Sequence, residues 1–322
     1  MKKVLITGSL GQIGSELVER LRKDLGNDNV IATDIRKLDG NPVCTEGIFE
    51  ILDVMNYDNF LAIAKKYHVD TVIHLAALLS ATAEKNPKFG WDLNMGGLMN
   101  ALDVAKELKT KFFAPSSIAA YGPDANPNHT PQDTVMHPTT MYGVTKVAGE
   151  LLANYYHTRY GVDSRSVRFP GLISYKSEPG GGTSDYNVDM FYQALLKGSY
   201  ECYLAEGTKM DMMYMDDAID AIINLLNADP KKLVHRNSFN ITAFSLAPEE
   251  LFAAIKKHIP DFKLSYKIDP VKQAIADSWP NSIDDSDAKK EWGFKPEFDV
   301  DKMTKEMLVK LTEKFKKEGK LK

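Results

Sequence analysis

Cysteine is almost missing from this chain: only Cys44 and Cys202 occur in 322 residues. Neither has a second cysteine or a histidine at metal-ligand spacing, which excludes a disulfide framework and a zinc site, so both read as reduced thiols and no metal is expected. A surplus of positive charge is missing too. Lys and Arg number 40 against 44 Asp and Glu, a net charge of −4, and they are scattered rather than gathered on one element. That pattern argues against nucleic acid as a partner. No apolar run approaches the length of a membrane span, and strand-like residues starting at Lys3 leave no room for a leader, so a soluble cytoplasmic protein is expected. Internal repeats and low-complexity segments are also lacking.

What is present is an alternation of short β-rich runs with amphipathic helices. The first half reads "KVLIT" from Lys3, a helix over Gln12–Leu25, "NVIAT" from Asn29, a strand into "ILDV" and a helix near Asn56–Tyr67. It continues with "TVIHLAALLS" from Thr71, a helix from Asp92 to Leu108, "KFFAPSS" from Lys111, a helix near Thr139–Tyr160 and "SRSVRFP" from Ser164. Near-continuous apolar strands separated by helices predict an α/β fold with a doubly wound parallel sheet, covered on both faces. After Gly171 proline and glycine become more frequent and the elements mix irregularly. The expected division is residues 1–170 as one domain and 171–322 as a smaller mixed α/β lobe interleaved with it. The Lys-rich end, "KLTEKFKKEGKLK", reads as a solvated helix with a frayed tail.

"TGSLGQIG" places Gly8, Gly11 and Gly14 between the first strand and first helix, and Asp34 ends the next strand twenty residues after Gly14. Without side chains, backbone N–H groups can approach a pyrophosphate at the helix N-terminus, which makes this a Rossmann-type dinucleotide site. A carboxylate at Asp34 can accept both ribose hydroxyls and repels a 2′-phosphate, so NAD is expected rather than NADP. Arg36 is the opposing feature, since an arginine there can pair with that phosphate.

"YGVTK" places Tyr142 and Lys146 four apart near the start of a helix. The apolar positions Val144, Val147, Ala148, Leu151, Leu152 and Tyr155 recur at helical spacing, which assigns the two polar residues to the complementary face. A free phenol is a poor base at neutral pH; an ammonium at about 5 Å and an effective dielectric of about 20 favours its phenolate by about 3 kcal/mol. Ser116 and Ser117 end the strand "KFFAP", where a hydroxyl can reach the same pocket. Together they suggest alcohol oxidation with a tyrosine base.

These motifs resemble the extended short-chain dehydrogenase/reductase family, whose Gly-x-x-Gly-x-x-Gly spacing is matched here. "LDV" sets Asp53 and Val54, and "HLAA" sets Leu75, Ala76 and Ala77, where that family holds the cofactor; Asn94 stands at its structural asparagine. The resemblance adds Gln12, Ile13, Ile35 and Pro170 to the cofactor contacts and gives Ser117 the catalytic serine's place, with Ser116 as a second substrate contact. "RFPG", "PGGGTSDY", "MMYMDDAIDA", "FNITAFS" and "SWPNSIDDSDAKKEWGF" are similar, more narrowly, to the short-chain L-threonine 3-dehydrogenases, from Met1 nearly to the C-terminus.

This likeness implies NAD-dependent oxidation of L-threonine at C3 to 2-amino-3-ketobutyrate, with Tyr142 as general base, Lys146 stabilising its phenolate and Ser117 orienting the reacting oxygen. It implies that the glycine-rich loop closes over the amino acid, with Thr183, Ser184 and Asp185 in the site; Ser80 and Trp279 complete the substrate contacts. It further implies a homodimer joined by a four-helix bundle of the helices from Asp92 and Thr139. Asp211 and Asp217 depart from the pattern, standing where proline is common, and put the rigidity of that loop in question. A nucleotide-sugar 4-epimerase or dehydratase would use the same triad, and a dinucleotide-sensing regulator would need neither Tyr142 nor Lys146.

Overall fold

The computed structural model describes residues 1–179 and 182–321. The first half contains strands β1 (Val4–Thr7), β2 (Val30–Asp34), β3 (Phe49–Ile51), β4 (Thr71–His74), β5 (Lys111–Phe113), β6 (Ser116–Ser117) and β7 (Asp163–Phe169). Helices α1 (Gln12–Leu25), α2 (Pro42–Thr45), α3 (Tyr57–Lys66), α4 (Ser80–Lys85), α5 (Pro87–Leu108) and α6 (Met141–Tyr160) alternate with them. The second half holds β8 (Gly171–Ile173), α7 (Tyr186–Lys197), β9 (Ser199–Cys202), β10 (Met210–Tyr214), α8 (Met215–Asn227), β11 (Asn237–Asn240) and β12 (Phe244–Leu246). It ends with α9 (Pro248–Lys256), β13 (Lys263–Tyr266), α10 (Pro270–Asp277), α11 (Ser286–Trp292) and α12 (Val300–Lys317).

The main sheet is ordered β11-β7-β5-β4-β1-β2-β3, with β6 pairing β7, and its pairs are parallel. The order reverses between β1 and β4, which opens a crevice at their carboxyl ends. Strand β1 is buried along its whole length, as a strand covered on both faces must be. Helix α1 presents Leu17, Val18 and Leu21 to the core and stops at Gly26, whose φ of 89° a side chain would resist. A second core lies in the C-terminal half, where α7, β10, α9 and α12 meet. Among the described residues no helix is long and apolar enough to cross a membrane.

Several expectations change. The strand from Thr71 ends at His74, and Leu75–Leu79 run as coil because they form a wall of the crevice instead of a sheet layer. The helix expected from Asp92 starts at Pro87, capped by Asn86, which leaves Asn94 in its interior. The Lys-rich terminus is more than a solvated helix: Leu311 and Phe315 are fully buried, their four-residue spacing placing both on one face of α12 against the second core. For α6, where the sequence assigns no covered face, the apolar stripe contains exposed positions: Leu151 is 62% and Tyr155 53% exposed, whereas Thr145 and Glu150 are buried. The interleaving expected of the second lobe takes the form of β11, which returns to the first sheet beside β7.

Candidate active site

The glycine turn is set by backbone crowding. A Cβ on Gly14 would sit 2.2 Å from the Gly8 carbonyl oxygen, and one on Gly8, at φ +67°, 2.8 Å from the Ala76 nitrogen. Helix α1 can therefore begin after a turn of only four residues beyond β1. Its N-cap, Gly11, offers no side-chain acceptor and the first turn carries no acidic residue, so the helix's leading N–H groups keep their positive field for an anion. At the end of β2 the Asp34 carboxylate accepts from Leu10 N at 3.1 Å and Ile35 N at 2.9 Å, which holds it beside the same turn. These features fit a dinucleotide pyrophosphate and its adenosine ribose.

One cleft, of about 250 Å³, gathers Gly8, Gly11, Gln12, Ile13, Gly14, Leu75, Ala77 and Pro170 with Ser80, Ser116, Ser117, Tyr142, Lys146, Thr183, Ser184, Asp185 and Trp279. The remaining expected cofactor contacts lie outside that lining. Ile35 and Arg36 are exposed beyond β2, and Asp53 is exposed with its carboxylate accepting Met55 N. Val54 is buried against Gly97 of α5, while Ala76 and Asn94 border an adjoining hollow that shares Leu75, Ala77, Pro115, Ser116 and Lys146 with the cleft. Asn94 braces the cleft wall: its amide accepts from Leu78 N, donates to Leu78 O and reaches Thr145 Oγ1.

Tyr142 stands in the first turn of α6, which Thr140 caps through Gly143 N. Lys146 Nζ lies 5.2 Å from the centre of the Tyr142 ring and donates to Pro115 O at 2.7 Å, so its ammonium is fixed one helical turn from the phenol. Ser117 Oγ accepts from Ala119 N at 3.2 Å, leaving its own proton available to an oxygen in the cleft. Ser116 differs. Its hydroxyl donates to the buried Glu150 at 2.5 Å, so its proton is taken up within the protein. Behind Lys146, burial pushes the His74 imidazole down to about 3, and the nearby ammonium acts in the same direction; the ring stays neutral and bonds Thr7 Oγ1.

On the opposite wall Thr183 is 1% exposed, and among the described residues its Oγ1 has no partner. An unpaired buried hydroxyl lining a cleft calls for a polar ligand atom. Asp185 Oδ2 accepts from Gly182 N at 2.8 Å, and the Tyr203 hydroxyl donates to Gly182 O and Thr183 O. The hinge expected of the glycine run falls partly on Gly180 and Gly181, which lie outside the described residues. Trp279 both borders the cleft and packs against the second core. Asp211 and Asp217 are tied down: Asp211 accepts from Ile283 N, and Asp217 from Glu297 N and Phe298 N. Burial pushes the Asp211 carboxyl up to about 7.

Sequence reasoning overlooked Leu79, Ile118, Phe169 and Leu172 in the cleft wall, and the Glu150–Arg168 pair behind it. A lone acid in the apolar run "VAGELL", one turn beyond Lys146, was the available signal for Glu150.

The model of the NAD dependent epimerase/dehydratase family matches residues 4–242. An uncharacterized epimerase/dehydratase of Staphylococcus haemolyticus is 57% identical over 98% of this chain and 99% of its own length. The X-ray structure of L-threonine dehydrogenase from Clostridium difficile superposes with a TM-score of 0.96 at 63% identity, covering 98% of each chain. A monomeric L-threonine 3-dehydrogenase from a metagenome gives 0.92 at 44% identity, over 96% of this chain and 99% of that one.

Proposed function

We propose that this chain, which belongs to the NAD dependent epimerase/dehydratase family, oxidises L-threonine at C3 to 2-amino-3-ketobutyrate. The observation that carries the reading is the meeting of Tyr142, Lys146 and Ser117 with the unpaired Thr183 hydroxyl in one cleft. Structural relatives at 63% and 44% identity that are L-threonine dehydrogenases support the choice of substrate.

The α1 turn and Asp34 would hold NAD, which when bound would supply the acceptor for the hydride that leaves C3. The chain's own residues do the rest. Tyr142 takes the proton of the 3-hydroxyl, Lys146 offsets the charge gained by the phenolate, and Ser117 donates to the reacting oxygen as it becomes a carbonyl. Ser80, Ser184 and Asp185 meet the amino-acid end, with Asp185 a countercharge for the ammonium. Threonine is small, so most of the rate must come from holding it in place.

A nucleotide-sugar epimerase or dehydratase would share the triad. It would also need cations for a second diphosphate, and the described residues lining the cleft include one cation, Lys146. The outward stripe of α6, with Phe89 and Met99 of α5 also exposed, supports pairing of two copies through these helices. The test is NADH formation with L-threonine beside conversion of a UDP-hexose by the same preparation. Sugar conversion with threonine inert rejects the proposal, and NAD binding with neither turnover points to a sensor.

A further inference from the structure

We propose that Glu150 is a positioning residue for this reaction: it holds Ser116 on the inner side of β6 and thereby fixes Ser117, next in the chain, toward the cleft. The inference rests on the alcohol-oxidation reading above.

Both serines border the cleft, yet successive side chains of a strand leave to opposite sides, so only one hydroxyl can turn fully toward the reaction. Which one faces the reaction depends on what anchors the other. Ser116 Oγ donates to Glu150 Oε1 at 2.5 Å, and Arg168 holds the same carboxylate with two prongs, Nε at 2.9 Å and Nη2 at 2.8 Å. Both charged side chains are almost wholly buried, at 4% and 5% exposure. Arg168 is itself fixed, since its remaining nitrogen donates to the Tyr121 hydroxyl and Gln132 O, both at 2.8 Å. The carboxylate cannot drift, so neither can Ser116.

The clamp also joins the elements that carry the chemistry. Glu150 follows Lys146 by one turn of α6, and Arg168 stands opposite Ser116 in the β6–β7 pairing. One carboxylate thus ties the helix of Tyr142 and Lys146 to the strand of Ser117. Its charge is cancelled by Arg168, so it can do this without opposing the ammonium that favours the phenolate. A buried ion pair is a costly way to gain stability alone; here it fixes a geometry.

Ser116→Ala is the decisive variant, because it deletes the tether while leaving the Glu150–Arg168 pair to maintain the fold. Its oxidation of L-threonine and of C3-deuterated L-threonine is compared with the wild type, and its crystal structure is determined. Expected is a kcat lower by about ten- to a hundredfold with KM for NAD within about twofold, and a larger deuterium isotope effect on kcat as hydride transfer becomes limiting. In the crystal Ser117 Oγ should move relative to the Tyr142 hydroxyl. A fall in kcat that only follows the folded fraction, with an unchanged isotope effect, overturns the proposal, as does an unmoved Ser117. A wild type inert toward threonine rejects the substrate assignment alone, and the crystal structure then decides on the clamp.

Discussion

Gly143 and Ala119 touch backbone to backbone: a Cβ on Gly143 would stand 2.2 Å from the Ala119 carbonyl oxygen. Gly143 follows Tyr142 at the start of α6, and Ala119 lies in the short turn that begins after Ser117. The missing side chain is what lets the helix of the phenol come this close to the strand end of the hydroxyl. Gly143→Ala must push them apart. Activity should fall by about a hundredfold or more, with NAD binding retained, because a shift of about 1 Å costs that much. Threonine oxidation and NAD titration of the folded variant check it; wild-type rates would mean the contact is incidental.

Tyr142→Phe removes the oxygen assigned to proton abstraction and little else. The expected loss in kcat is about 10²- to 10⁴-fold, with the affinity for NAD nearly unchanged. Turnover near the wild-type rate in a folded protein would assign the base elsewhere.

For cofactor choice the test is Asp34→Ala. This carboxylate is held beside the glycine turn by two backbone N–H groups, Leu10 and Ile35. Its loss should weaken NAD by about tenfold or more, the worth of a charged hydrogen bond, and narrow the gap to NADP. Equal affinities for both cofactors before and after the change would remove Asp34 from the ribose site.

Glu16, buried in α1, has its carboxyl pushed up to about 7 from 4.5; burial is the main cause, with Ser174 and Lys176 opposing it. In the unfolded chain this group ionises first as pH rises. Its contribution to stability is therefore fully present below about pH 4.5 and is lost as pH climbs through about 7, a change on the order of 3 kcal/mol. Asp211 acts in the same direction. Glu16→Gln keeps an acceptor for Ser174 and cannot ionise, so its unfolding midpoint should fall less between about pH 5 and pH 8 than the wild type's. Denaturation across that range measures it, and parallel curves would contradict it.

Leu151→Arg addresses pairing of copies. A cation in the centre of the exposed α6 stripe should convert a dimer to monomers in sedimentation experiments while leaving the fold intact. A wild type that sediments as a monomer would remove the helix pairing from the proposal.

Where a local pattern determined an element, the sequence could be read closely. The span Gln12–Leu25 matches α1 residue for residue, because Leu17, Val18 and Leu21 mark its inner face and glycines bound it. The residues from Ser80 to Trp279 that were expected around a substrate border a common cleft, although the Ser116 hydroxyl is given to Glu150. On α6 periodicity placed Tyr142 and Lys146 together, as the cleft has them, but it separates apolar from polar faces without saying which is covered. There the core side is taken by Thr145 and by Glu150 paired with Arg168, a partner 18 residues away on β7. Neither that pairing nor the return of β11 to the first sheet leaves any trace within a short window of sequence.

That returning strand has a consequence for how the protein is made. A nascent chain of about 170 residues would hold β7 complete but with one flank unpaired, since residues 237–240 supply its neighbour. The nucleotide-binding half cannot close its sheet until about seventy further residues have left the ribosome, so a fragment ending at residue 170 would expose a ready template for aggregation.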